Sequence, residues 1–253
     1  MESSAHQQAY DRGSTIFSPD GRLYQVEYAR EAVERGSPSV GVVTDDGAVL
    51  AARKRLRSPL LESTTVEKIH RIDDHLAIAS AGHAADARQL VDVARRVGQQ
   101  HRVRYGEPID TRALATHVAD HVQEHTQSGG SRPYGSALLV AGIDRGGSDG
   151  AGGRPRLFEV DPSGTPYGWR ATAIGHDAAA VRGFFEDELA DGSRRDLQQG
   201  TAVALEALDL TTDDDLAPAA LDAWTLDATS ATVAPLSDDD LEGALEELDD
   251  EDR

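Results

Sequence analysis

The 253-residue chain contains no cysteine, and only Lys54 and Lys68 are lysine among its 25 basic residues. Without cysteine there is no disulfide framework, no thiolate metal site and no cysteine nucleophile. Aromatic residues make up 5% of the chain, and no apolar run approaches the length needed to span a bilayer. The first residues, Met1 to Gln8, lack both the basic start and the apolar stretch of a secretory signal, so a cytoplasmic location with no membrane association is expected. Positive charge is scarce as well: 45 acidic residues leave a formal net charge of -20. Such a balance repels nucleic acid and anionic lipid before any specific contact forms. Excess surface carboxylate keeps a protein hydrated where salt screens everything else, which points to a halophilic source.

With 39% hydrophobic residues, the chain has enough apolar material for one large core. Ser18-Pro19-Asp20 reads as a helix start, with Leu23, Val26, Ala29, Ala32 and Val33 at helical intervals until Gly36. Two β-rich pairs follow. The first, Ser39 to Thr44 and Ala48 to Arg53, turns at Asp45-Asp46-Gly47, where Gly47 is expected to supply a positive φ; the second, Val66 to Ile72 and His75 to Ala81, turns at Asp73-Asp74. Helices are expected over His83 to Tyr105 and Thr111 to Gln127, closed by Gly106 and by Ser128-Gly129-Gly130. Strands resume at Ser136 to Ile143, Arg156 to Val160 and Tyr167 to Ala173, and helices at Ala178 to Leu189 and Asp196 to Leu208. The grouping of strands, helices, strands and helices favours an α+β fold, with two antiparallel sheets layered against helices, over a parallel βαβ fold. The segment Ser237 to Arg253 reads as a short capped helix fraying into an acidic tail.

Generic catalytic motifs are missing: there is no His-Glu-x-x-His, no Gly-x-Ser-x-Gly, no Walker loop and no calcium loop. Gly146 to Gly153 is glycine-rich but lacks the Lys-Ser or Lys-Thr ending and the following helix of a phosphate loop, so it reads as a mobile hairpin tip. His117, His121 and His125 share a helical face. They could in principle hold a divalent metal, but their acidic, polar surroundings favour a solvent-facing stripe. No metal and no cofactor are expected.

The most specific stretch is Tyr10-Asp11-Arg12-Gly13-Ser14-Thr15-Ile16-Phe17-Ser18-Pro19-Asp20-Gly21-Arg22-Leu23-Tyr24-Gln25-Val26-Glu27-Tyr28-Ala29-Arg30-Glu31-Ala32. It closely resembles the N-terminal signature of proteasome α subunits. The likeness continues through Val66-Glu67-Lys68-Ile69, Ser80 to Arg88, Gly129 to Gly135 and Asp161-Pro162-Ser163-Gly164, spanning about Ala9 to Leu208. With the acidic composition, the resemblance is to archaeal, haloarchaeal chains. It implies an Ntn-hydrolase-type four-layer αββα sandwich in a heptameric ring stacked on rings of proteasome β subunits. The implied organisation is a gate segment at 1–9, an α-type domain at 10–236 whose residues 10–36 form the α-specific extension, and an acidic helix or tail at 237–253. The implied partners are other α subunits, β subunits, a regulatory AAA+ ATPase and unfolded protein substrates in transit.

The same resemblance implies which residues act. In the related β subunits an N-terminal threonine attacks the peptide, assisted by its own α-amine, a lysine and an orienting acid. Here Ser37 takes the threonine's place in mid-chain, Arg53 takes the acid's place, and only the lysine, Lys68, remains. No catalytic residue is therefore expected. By resemblance, Lys68, with Gly36 and Gly82 as pocket backbone and Glu27 nearby, receives the C-terminal carboxylate of an activator tail. Tyr10, Asp11, Pro19 and Tyr28 would pin the open gate while Arg12 holds the turn. Relatives often carry an aromatic before Gly129-Gly130 that rims the pore, where this chain has Ser128. Two other readings of the sequence are an amidohydrolase autoprocessed at Ser37 and an acidic scaffold or adaptor protein outside any proteasome.

Overall fold

The structure, a computed structural model, describes residues 17–128, 131–145, 153–192 and 195–251. Six α-helices lie among them: α1 (Tyr24–Glu34), α2 (Ala84–Tyr105), α3 (Thr111–Gln127), α4 (Ala178–Glu188), α5 (Leu197–Asp209) and α6 (Asp238–Glu251). The strands are β1 (Ser39–Val43), β2 (Gly47–Arg53), β3 (Ile69–Asp73), β4 (Leu76–Gly82), β5 (Ser136–Asp144), β6 (Arg154–Val160), β7 (Pro166–Trp169), β8 (Ala171–Ile174), β9 (Leu221–Asp227) and β10 (Thr232–Pro235). They form two five-stranded sheets, β10-β9-β2-β1-β8 and β3-β4-β5-β6-β7, and every pairing is antiparallel.

Alternation along each strand decides which face each side chain takes. On β2, Ala48, Leu50 and Ala52 enter the core between the sheets with Ala77, Ala79, Leu139, Ala141 and Leu157 from the facing sheet. Val49 and Ala51 point the other way and pack with Val40 and Val42 against Val181, Phe185, Ala204 and Leu208 of α4 and α5. On the far side, Leu76, Ile78, Leu138 and Val140 meet Leu90, Val91, Leu114 and Val118 of α2 and α3. The central strands are thus covered on both faces, which is why they read as nearly continuous apolar runs. The layering is the expected four-layer αββα sandwich. Alanine dominates between the sheets and leaves room for the leucines opposite, so enlarging any of these alanines would overpack the core by about 1–3 kcal/mol.

Helix α1 lies across one end of the sandwich. Val26, Ala29 and Val33 form its buried stripe, and Val33 reaches the core between the sheets. Burying that one side chain contributes roughly 1.5–3 kcal/mol, and a charge at position 33 would detach the helix. The helix begins at Tyr24, later than the sequence suggests. Ser18 to Gly21 closes a turn instead, with the Gly21 N–H donating to Ser18 O at 2.8 Å and the Arg22 N–H to Ser18 Oγ at 3.1 Å. Pro19 sits where such a turn prefers it, immediately after the first residue.

Three other expectations are corrected. Gly47 does not supply a positive φ: it lies inside β2 opposite Asp227, and a Cβ there would stand 2.1 Å from Leu226 O. Glycine is needed for close approach, not for the turn. The expected single strand Tyr167 to Ala173 is two strands that part at Arg170, β7 joining the edge of one sheet and β8 the edge of the other. The C-terminal part adds β9 and β10, and α6 docks: Leu241 is buried, with Leu245 and Leu248 packed alongside. Ser237 caps that helix by a reciprocal exchange, its Oγ donating to Asp240 Oδ2 at 2.6 Å and accepting from Asp240 N at 3.2 Å. The loop tip at Gly146 to Gly152 lies outside the described residues.

Candidate functional site

Between α1 and β1 the chain runs Gly36-Ser37-Pro38, and each of these three carbonyls has its own donor. Gly36 O accepts from the His176 N–H at 2.8 Å, Ser37 O from Lys68 Nζ at 2.9 Å, and Pro38 O from the Arg53 N–H at 3.1 Å. Three elements far apart in sequence therefore hold one short segment. Gly36 also abuts Gly82 so closely that a Cβ on Gly36 would lie 2.3 Å from Gly82 N. Gly82 has φ +100, and a Cβ there would meet Gly135 O at 2.3 Å, so both space and backbone conformation demand glycine.

Lys68 precedes β3, and its backbone is fixed from the neighbouring sheet. Asp222 of β9 accepts from the Lys68 and Ile69 N–H groups through Oδ2 at 2.9 and 3.0 Å, and from Trp224 Nε1 through Oδ1 at 2.8 Å. Lys68 O accepts from the Ser80 N–H at 3.0 Å. Burial pushes the Lys68 ammonium down to about 8, partly opposed by the Asp222 charge. An ammonium carries three donors, and one is spent on Ser37 O.

Lys68, Gly36 and Gly82 are thus brought together around Ser37. Glu27 engages Arg22 instead, which donates through Nε to Oε1 at 2.6 Å and through Nη2 to Oε2 at 2.5 Å. Of the gate candidates, Pro19 is exposed within its turn and Tyr28 is half exposed on α1. Tyr10, Asp11 and Arg12 lie outside the described residues. Arg53 ends β2 opposite Leu221. A carboxylate, Asp222, does stand near the lysine, but three N–H donors already occupy it. Nothing in the sequence marks Asp222, because only strand pairing brings it to Lys68.

A second cluster joins two stretches that lie far apart in sequence. Asp86, on the first turn of α2, is buried and accepts a fork from Arg132 Nη1 and Nη2 at 2.6 and 2.8 Å, with the Gly135 N–H at 2.8 Å. Burial alone would raise its pKa; the hydrogen bonds from Arg132 and Gly135 outweigh that and hold it below the ordinary carboxylate value. The histidine series splits. His125 stacks on Tyr134 at 4.3 Å between centroids and His121 Nε2 lies 3.2 Å from Tyr134 Oη, whereas His117 is exposed and lines a cavity together with Arg96 and Tyr105. Among the described residues no three His, Asp or Glu side chains are grouped to hold a metal.

Comparison with known proteins agrees with this architecture. The "Proteasome subunit" family model matches residues 33–224, and a second model, the N-terminal signature of A-type proteasome subunits, matches residues 10–32. The chain is 55% identical over 248 residues to proteasome alpha subunit 1 of Haloferax volcanii, covering 97% of this chain and 94% of that one. It is 54% identical over 242 residues to proteasome alpha subunit 2 of Haloarcula marismortui, covering 96% of each. With the proteasome alpha subunit of Natronomonas pharaonis it shares 51% over 250 residues, or 98% and 94% of the two chains. The chain belongs to the proteasome subunit family, as one of its α-type members.

Proposed function

We propose that this protein is a non-catalytic, ring-forming gate and docking platform of the proteasome core, with peptide-bond cleavage carried by β subunits. One observation carries the reading: Lys68 donates to the Ser37 carbonyl within a segment held at three successive carbonyls, and residues ahead of Ser37 are part of the fold. Freeing the Ser37 amine would sever α1 and its buried Val26, Ala29 and Val33. Nucleophile, base and orienting group act as a unit, so an amide nitrogen in place of an amine removes the activity as a whole.

Lys68 remains suited to a second task. A compact ammonium with spare donors beside glycine backbone fits a terminal carboxylate, a contact worth about 1.5–3 kcal/mol when partly desolvated. In this reading the tail of a regulatory ATPase docks at Lys68 beside the Gly36 and Gly82 backbone, and small shifts at Pro19 move the gate segment. The particle works in the cytoplasm on unfolded protein.

The test is peptide hydrolysis in high salt by the purified chain, by β subunits and by the two combined. The chain alone should be inactive and the combination active. Hydrolysis by the chain alone would overturn the proposal and restore the amidohydrolase reading.

A further inference from the structure

Lys68 is tied down from three sides. Its N–H donates to Asp222 Oδ2 at 2.9 Å, its carbonyl accepts from the Ser80 N–H at 3.0 Å, and its ammonium donates to Ser37 O at 2.9 Å. Ser80 belongs to β4 of the same sheet, whereas Asp222 comes from β9 of the facing one. Strand alternation decides that placement. Asp222, Trp224 and Leu226 share the face of β9 turned toward the other sheet, where Leu226 is buried in the core between the sheets and Trp224 packs against it. Asp222 is the charged member of that set.

Backbone N–H groups need an acceptor, but a neutral carbonyl or amide oxygen would serve them. The residue present is a carboxylate, and its three hydrogen bonds all come from neutral N–H groups: Lys68 and Ile69 on Oδ2, Trp224 Nε1 on Oδ1. It joins no ion pair among the described residues. Its charge therefore acts on the Lys68 ammonium, against the burial that drives the lysine down to about 8. The other ionisable groups around the lysine do not replace it. His70 on β3 is held below its ordinary value chiefly by burial and is neutral at pH 7. Glu67 is 71% exposed and turns to His70, with Oε2 at 3.6 Å from Nδ1. Arg53 at the end of β2 and Arg95 of α2, which acts on His70, are cations and oppose an ammonium.

We propose that Asp222 is the positioning residue of the docking lysine: from the facing sheet it fixes the Lys68 backbone and supplies the counter-charge for the ammonium. The inference rests on the docking reading above and names the group that sets the pH range over which docking works. Without the Asp222 charge the ammonium gives up its proton nearer neutrality, and the site loses its hold on a carboxylate at lower pH.

Asp222→Asn removes the charge and keeps an oxygen for the two backbone N–H groups, but its amide N–H meets Trp224 Nε1. Asp222→Asn with Trp224→Phe relieves that clash. Particles assembled with β subunits are titrated in molar potassium chloride with a labelled peptide that carries the tail sequence of the regulatory ATPase and ends in a free carboxylate. The ratio of affinity at pH 6 to affinity at pH 8 should exceed the parent's by at least about twofold in both variants, since half of the parent's ammonium is charged at pH 8 and a smaller share of theirs. A purely structural defect weakens binding at both pH values and leaves the ratio alone. A second readout needs no peptide. Lys54 and Lys68 are the only lysines, so carbon-13 labelling at lysine Cε in this chain gives two side-chain signals, Lys68→Ala identifies which is which, and the Lys68 midpoint should fall in both variants. An unchanged midpoint with an unchanged ratio would overturn the role of Asp222 and leave docking at Lys68 standing. A midpoint that falls while the ratio stays fixed, or a Lys68→Ala particle that binds the peptide as tightly as the parent, would overturn the docking reading itself. Loss of the fold in both variants, seen by circular dichroism, would make Asp222 a structural residue only and overturn the inference.

Discussion

If Lys68 receives a carboxylate, binding must weaken as its proton leaves, and the structure sets where. The ammonium titrates at about 8 against an ordinary 10.5, because burial disfavours the charged form. At pH 7 about 90% of it is charged and at pH 9 about 10%, so affinity for a carboxylate tail should fall roughly tenfold between them. The ceiling is the whole contact, about 1.5–3 kcal/mol or about 10- to 150-fold. The empty fold responds with the opposite sign. A lysine whose folded pKa lies below its unfolded one costs stability wherever the unfolded chain holds that proton. The cost is constant below about 8 and relieved as pH rises from there towards 10.5, by at most about 3 kcal/mol. Docking should therefore weaken with rising pH while the unbound fold gains stability. The assay is fluorescence anisotropy of an N-terminally labelled activator-tail peptide on the assembled particle, in molar potassium chloride, with a C-terminally amidated control. Equal affinity at pH 7 and pH 9, or an amidated peptide that binds as well as the free acid, would exclude the Lys68 ammonium as the receptor of the tail carboxylate.

Other expectations follow from the packing around that site. Lys68→Ala should leave assembly intact but weaken ATPase-stimulated degradation about tenfold or more, by loss of a charge-assisted contact; unchanged stimulation in a degradation assay would remove Lys68 from docking. Gly82→Ala should destabilise the chain by at least about 2 kcal/mol in urea unfolding at high salt, since φ +100 and Gly135 O at 2.3 Å both oppose a Cβ. Asp86→Ala should cost about 1–3 kcal/mol, chiefly by leaving the buried Gly135 N–H without its acceptor, since the exposed Arg132 guanidinium turns to water. The same carboxylate has a lowered folded pKa, so its contribution is present above the unfolded value of 3.8 and lost as acid takes pH down through the folded one. An acid titration of the Asp86→Asn variant should lack that step. Deleting residues 2–9 should raise peptide hydrolysis by the assembled particle without any ATPase.

Much of this architecture is written in the local pattern of the chain. Thr111 to Gln127 reads as a helix and is one, and Gly106 closes α2 in a left-handed conformation, with its N–H donating to Arg102 O at 2.9 Å. What local pattern misses is set by distant backbone. Nothing between Tyr167 and Ala173 signals that the chain leaves one sheet at Arg170 and enters the other. Gly47 looks like a turn glycine until Leu226 O is found against it. β9 is legible in principle, since Leu221, Ala223 and Leu226 are its buried residues, and the likeness to relatives, which the signature motifs show only as far as about Leu208, extends past it over 97% of the chain. The site divides similarly. Lys68, Gly36 and Gly82 lie in or beside recognisable motifs, whereas Asp222, His176 and the Asp86–Arg132 clasp emerge only when strands and helices far apart in sequence meet.

A non-catalytic role requires that the peptide ahead of Ser37 stay joined to the sandwich in the working particle. Intact-mass spectrometry of this polypeptide, recovered from particles that are actively hydrolysing substrate in high salt, measures that directly. The expected result is one species that retains α1 and the signature from Tyr10 onward; a species that starts at Ser37 and scales with activity would contradict it.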